Sequence, residues 1–109
     1  MKGLIAEWIA MFCLCLKGYW PLRWRLKYPV GEVDLVMQKG MCIVFIEVKK
    51  RKRLCDALES ITPRNLLRVQ KAARHFSIKN PNLAFKNQRI DAFCLGAFFW
   101  PCHVKNVSI

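Results

Sequence analysis

A chain of 109 residues suffices for one domain, and its slightly more than half hydrophobic content excludes a disordered polypeptide. Nineteen Lys and Arg stand against seven Asp and Glu, a net charge of +12, which favours nucleic acid first and an anionic membrane second over a basic but inert surface. The six cysteines (Cys13, Cys15, Cys42, Cys55, Cys94, Cys102) lie mostly in apolar segments without a C-x-x-C pair. They are expected as free thiols in a reducing cytoplasm, not as a disulfide set. His75 and His103 show no spacing that would make a zinc site with them.

The opening "MKGLIAEWIAMFCLCLKGYW" has the look of a signal peptide, but its apolar run is shorter than the roughly 20 residues that span a bilayer. Glu7 interrupts it and no A-x-A-like cleavage site follows. The expectation is a buried helix ending at Lys17-Gly18, with Gly18 as its left-handed cap. Next, "WPLRWRLKY" alternates. Trp20, Leu22, Trp24, Leu26 and Tyr28 would face one way, and Arg23, Arg25 and Lys27 would form a basic outer stripe on a half-buried strand.

Two apolar runs, 32–37 and 42–49, flank Lys39-Gly40 and predict a hairpin. The basic run "KKRKR" at 49–53 should lead into a loop reaching Ser60. Thr62-Pro63 is an N-cap and N1 pair, and Leu66, Val69, Ala73 and Phe76 recur at helical spacing up to Asn80-Pro81. A strand over 89–98 and a short one within 103–107 complete the order αβββαβ(β). This predicts a single α/β domain over 1–109 with a mixed sheet flanked by helices.

The hairpin carries the chemistry. Side chains two apart on a strand share a face, so Glu32 and Asp34 go together, as do Glu47 and Lys49. With a loop of four residues, 39–42, Asp34 lies across from Glu47 and Glu32 across from Lys49. Opposed Cβ atoms stand only about 4.5–5.5 Å apart. Two carboxylates that close repel, and one takes up a proton unless a cation sits between them. A hard divalent ion, Mg²⁺ or Mn²⁺, is suited to the place, because Mg²⁺ accepts one or two carboxylates and completes its shell with water and phosphate oxygens. Lys49 would then orient or deprotonate a water, or neutralise phosphate charge, in metal-assisted phosphodiester hydrolysis. The competing reading of the same spacing puts these charges on a solvated face, with Glu32 and Lys49 as a plain cross-strand ion pair.

The run G-E-V-D-L-V, then V-F-I-E-V-K-K-R, a helix ending A-A-R-H-F, then R-I-D and H-V-K-N-V resembles the YraN family of small bacterial proteins over nearly the whole chain. Gly3, Glu7 and Ala10 resemble its opening G-x-x-x-E-x-x-A helix. That family is similar to the PD-(D/E)XK nuclease superfamily, with the restriction-endonuclease-like fold. The resemblance implies that Asp34, Glu47 and Lys49 are the catalytic set and that Glu7 joins Asp34 and Glu47 in the metal shell. Glu32 matches the GE-x-D motif as a supporting residue, and Arg51 matches the arginine after E-V-K. The chain departs from the pattern at Asn65, where relatives carry lysine, and in "KRLCDALES", which lacks the usual loop glycine.

Three classes follow: a metal-dependent nuclease acting on DNA or branched nucleic acid, a nucleic-acid-binding module of the same fold without turnover, and a basic protein held on membranes by its apolar N-terminus. The expected partner is nucleic acid, DNA in particular, and not a membrane. Arg23, Arg25 and Lys27, with Lys50, Arg51, Lys52 and Arg53, are its expected phosphate contacts. His75 and His103 are expected to be structural, and Arg89 and Asp91 to support the sheet or line the cleft. Trp8, Trp20, Trp24 and Trp100 are the right chemistry for base stacking, although their spacing predicts core packing.

Overall fold

The two apolar runs around Lys39-Gly40 do form antiparallel strands, β2 (Gly31–Lys39) and β3 (Cys42–Lys50). The computed structural model describes residues 3–84 and 86–107. The expected domain over 1–109 also takes in positions 1, 2, 85, 108 and 109, which lie outside the described residues. Before the hairpin come α1 (Leu4–Leu16) and β1 (Trp20–Tyr28). After it come α2 (Leu54–Glu59), α3 (Pro63–Lys79), β4 (Asn87–Leu95), a 3-10 turn (Ala97–Phe99) and β5 (Pro101–Val104). The strands lie in one sheet in chain order, antiparallel except for the parallel pair β3–β4, which α2 and α3 connect. This is the mixed α/β sheet flanked by helices that the sequence predicts.

The hairpin turn is shorter than expected. Lys39 pairs with Cys42, so the loop is Gly40 and Met41, with Gly40 at φ +58°, the backbone that tight hairpins demand. The register is nevertheless the expected one. Thr62 begins α3 as predicted: its Oγ1 accepts from Asn65 N at 3.2 Å, and Asn65 Oδ1 accepts from Thr62 N at 3.4 Å. This capping box, with Pro63 in the first turn, satisfies donors that a helix start leaves orphaned. At the other end of the hairpin, Gly31 allows α3 to lie hard against β2. A Cβ there would sit 2.1 Å from the Arg68 carbonyl oxygen.

Each face of the sheet has its own core. Ala6, Ala10 and Leu14 of α1 pack on Leu35, Met37, Val44 and Ile46. Val69, Ala73 and Phe76 of α3 pack on Val36, Ile43 and Phe45, with the Phe45 and Phe76 rings edge to face at 5.8 Å. Each fully buried side chain of this size contributes about 1.5–3 kcal/mol. No helix among the described residues is long and apolar enough to cross a membrane.

Several expectations are corrected. The 54–60 region is not loop throughout, because Ala57 buries against Ala92 and Cys94 and turns Leu54–Glu59 into α2. Strand β4 stops at Leu95, one residue before Gly96, where an added Cβ would sit 2.8 Å from the Leu54 amide nitrogen, and β5 is already under way at Pro101. Helix α1 buries one face only and leaves Ile5, Trp8, Phe12 and Leu16 exposed. All four tryptophans are exposed as well, so the predicted core packing of Trp8, Trp20, Trp24 and Trp100 is overturned. The alternation in β1 breaks at a bulge between Pro21 and Arg23 and again at Arg25, whose φ is +55°.

A buried charge network ties the far strands to the start of β1. Asp91 on β4, fully buried, accepts from Arg89 Nε and Nη2 at 2.8 and 2.9 Å, from His103 Nε2 at 2.7 Å and from the Asn106 amide at 2.9 Å. Arg89 Nη2 also donates to the Tyr19 hydroxyl at 2.7 Å. Arg89, Asp91 and His103 are therefore structural here. Burial pushes the Asp91 carboxyl up, but the bonds from His103, Arg89 and Asn106 outweigh it and bring the pKa from 3.8 down to about 2. A lowered folded pKa adds stability that is present above pH 3.8 and lost as pH falls through about 2. Asp91→Ala should cost about 3 kcal/mol in urea unfolding at neutral pH, because it strands the partly buried Arg89 guanidinium and leaves the buried His103 ring without its acceptor. The variant should also lose less stability than the parent between pH 4 and pH 2.

Candidate active site

The site forms where the hairpin stops being regular. Strand β3 pairs with β4 without interruption from Cys42↔Asn87 to Lys50↔Leu95, so Glu47 and Lys49 share the face of Ile43 and Phe45. The β2–β3 ladder, by contrast, ends at Leu35↔Ile46. The same register would next set Asp34 against Glu47. Instead, the Val48 amide donates to Asp34 Oδ2 at 2.8 Å. A carboxylate has taken a donor that a backbone carbonyl would have used. On its other side Asp34 faces the kink at Arg25, and it appears in neither ladder among the described residues.

Asp34 and Glu47, both half-buried, hydrogen bond to each other through their carboxyl groups. Burial, then the hydrogen bond and charge of Asp34, raise the Glu47 pKa from 4.5 to about 9, with Lys49 pulling down and Glu32 adding to the rise. Burial and mutual repulsion thus favour a proton on the pair unless a cation joins the two carboxyl groups. The solvated-face reading of the hairpin does not describe this pair, and Glu32 forms its ion pair with Arg68 of α3 at 3.4 Å, not with Lys49.

Glu7, buried in the first turn of α1, receives Trp24 Nε1 and Arg25 Nε on one oxygen, each at 2.8 Å. This explains Arg25: the left-handed kink turns its guanidinium inward to Glu7 and removes it from the expected outer stripe. Glu7 still lines the same cleft as Asp34, Glu47 and Lys49, an opening of about 850 Å³ between the N-terminal ends of α1 and α3. Two other depressions, of about 460 and 490 Å³, lie along α3 and have no carboxylate among their described lining residues.

The expected basic residues divide. Lys50 and Arg51 line the cleft, with Lys50 Nζ 4.9 Å above the centre of the Phe99 ring. Lys52 is exposed, and Lys27, also exposed, lines a smaller depression with Glu7, Glu32 and Asp34. Arg23, also exposed, sits 5.9 Å over the Phe76 ring and so lies towards α3. Arg53 is engaged by Asp56 at 2.9 Å. Asn65, the departure noted in the sequence, lines the cleft through the capping box that holds it. Phe99 lines it too, and sequence reasoning missed it. The signal was the pair Phe98-Phe99 ahead of Trp100-Pro101, a bulky run at a strand end where turn residues are expected.

Among the described residues, no three His, Cys, Asp or Glu side chains gather into a metal cage. The Asp34–Glu47 pair nonetheless fits a hard divalent cation. Its carboxyl groups border an open cleft, and carboxylate oxygens are the donors that such an ion takes.

Fold and site together define a small α/β protein with an acid pair and a lysine at the splayed end of a hairpin. The chain belongs to the family described as "Uncharacterised protein family UPF0102", which it matches over residues 6–95 and which contains the YraN-like proteins it resembles. It is similar to UPF0102 proteins of Methylobacterium radiotolerans (40% identical over 105 residues, 96% of this chain and 81% of the relative) and of Chelativorans sp. (37% over 106 residues, 97% and 86%).

The raised Glu47 pKa fixes a sign. A carboxyl that titrates higher when folded favours the fold below pH 4.5, and that advantage is lost as pH rises to about 9. In EDTA, the melting temperature should fall across this window, and Glu47→Gln, which cannot ionise, should flatten the decline in thermal melts at stepped pH.

Proposed function

We propose that the protein is a metal-dependent nuclease hydrolysing phosphodiester bonds in DNA or branched nucleic acid, working in the bacterial cytoplasm. The observation that carries this reading is the Asp34–Glu47 pair. In a chain of net charge +12, two carboxyl groups hydrogen bond to each other in a cleft walled by Lys49, Lys50 and Arg51. A carboxyl pushed up by burial and by a second acid in a cleft is the kind of group that functional sites use. Asp34 and Glu47 would hold Mg²⁺ or Mn²⁺, with Glu7 behind them kept in place by Trp24 and Arg25. When bound, the ion supplies Lewis-acid polarisation of the phosphate and a more acidic water.

The chain's own groups do the remainder. Val48 N–H fixes the orientation of the Asp34 carboxylate, so that it is positioned before substrate arrives. Lys49, half-buried on the Glu47 face, neutralises developing charge on the phosphate or orients the attacking water. Lys50 and Arg51 hold the flanking backbone, which favours binding without base preference.

Mg²⁺ or Mn²⁺ should raise the melting temperature of the wild type, since a ligand bound only by the folded state stabilises it. Glu47→Gln should weaken both that rise and the cleavage of single-stranded, duplex or branched DNA. Lys49→Ala should retain the rise and lose cleavage by about 100-fold or more, the scale of a missing transition-state charge contact. Wild-type cleavage in Glu47→Gln would assign the activity to a contaminant or another site. Metal stabilisation of the wild type with no cleavage of any of these DNAs would leave the binding module without turnover.

Binding should also weaken steeply with salt. Replacing Lys50 and Lys52 by Ala should lower the slope of log affinity against log salt by about one per residue lost, measured by fluorescence anisotropy.

A further inference from the structure

The β4–β5 connection is built against local preference. Phe98 has φ +54° and ψ +30°, and Phe99 has φ +58°. These are left-handed conformations that suit glycine and asparagine and that bulky side chains rarely adopt. The turn is closed tightly by Trp100 N–H donating to the Ala97 carbonyl at 3.0 Å and Gly96 N–H donating to the Trp100 carbonyl at 2.9 Å. What the strain holds in place is three aromatic rings. Phe98 is 100% exposed, Trp100 70% and Phe99 37%. Packing does not explain rings turned so far into water.

Their position is specific. Strand β3 ends beside β4, with Lys50 paired to Leu95 and the Arg51 amide bonded to the Leu95 carbonyl at 3.1 Å. The aromatic turn therefore rises from the same end of the sheet as Glu47, Lys49, Lys50 and Arg51. Phe99 is itself a wall of the acidic cleft, with the Lys50 ammonium over its ring.

We propose that Phe98, Phe99 and Trp100 form a stacking platform for unpaired bases, so that the substrate of this cleft is single-stranded DNA or a single-stranded arm of a branched one. The inference rests on the nuclease reading above and adds the substrate class. Ring faces accept any base, because every base has a π-face, while the cations beside them take the phosphates. In a continuous duplex the bases are already stacked on each other and give the platform nothing to bind. A second protein would instead be expected to bring anionic or apolar complement to the rings, yet the groups flanking them are Lys50 and Arg51, which match a phosphate backbone.

The test is the double variant Phe98→Asn with Phe99→Gly, which supplies the residues such a turn prefers and removes two rings. Its melting temperature should equal or exceed that of the parent. Anisotropy in EDTA, where nothing is cleaved, would compare a labelled oligothymidylate with a blunt duplex of equal length. Affinity for the oligothymidylate should fall about tenfold or more, the scale of losing one to two stacked bases, with duplex affinity within twofold of the parent. Phe98→Ala, which removes a wholly exposed ring, should reproduce part of the loss if the double variant folds poorly. Unchanged oligothymidylate binding in both variants would overturn the platform while leaving the nuclease reading standing. Failure of the parent to bind either DNA at low salt would overturn both.

Discussion

The hydrogen bond from the Val48 amide to the Asp34 carboxylate is the interaction on which the cleft depends. It ends the β2–β3 ladder at Leu35↔Ile46 by giving a backbone donor a side-chain acceptor. A charge-assisted bond of this kind is stronger than the neutral one it replaces, so the strands can separate without leaving an orphaned donor. The gap lets the Glu47 carboxyl turn towards Asp34. On the opposite edge of β2, the left-handed Arg25 swings to Glu7 and relieves the same strand of its other neighbour. Asp34 is thus left between two interruptions in a sheet that is continuous around it.

The placement of six of the seven acidic residues shows how unusual the pair is. Glu7 binds Arg25, Glu32 meets Arg68, Asp56 meets Arg53, and Asp91 holds Arg89 and His103. Asp34 and Glu47 hydrogen bond to each other instead, in a chain whose cations outnumber its acids by 19 to 7. The contrast with Asp91 is instructive. Both carboxyls lose water, but Asp91 is surrounded by donors and drops to about 2, while Glu47 faces another acid and rises to about 9. Burial is common to the two, and the neighbours decide the direction.

Helix α3 and the aromatic turn both contribute to the walls of the cleft. The capping box holds Asn65 at the cleft, and Gly31 lets the helix lie close to β2 at Arg68. The turn at Ala97–Phe99 is anchored by the pairing of Leu95 with Pro101 and leaves Phe98 and Trp100 largely exposed.

Local pattern alone determined the hairpin, its register, the start of α3 and the shared face of Glu47 and Lys49. Each of these follows from a periodicity of two, a proline after a threonine, or a glycine in a tight turn, all of which act within a few residues. The sequence also showed that Asp34 and Glu47 would meet. What it left open was what covers each face, since periodicity says which side chains point together and nothing about what they point at. Tertiary structure alone decided that Arg25 leaves its stripe for Glu7, eighteen residues earlier, and that Asp91 gathers His103 and Arg89 into a buried network. It also left the outer face of α1 and all four tryptophans in solvent. Left-handed backbone at Arg25, Phe98 and Phe99 has no signature in the residues themselves, because it runs against their own preference and is imposed by the contacts and turn closures around them.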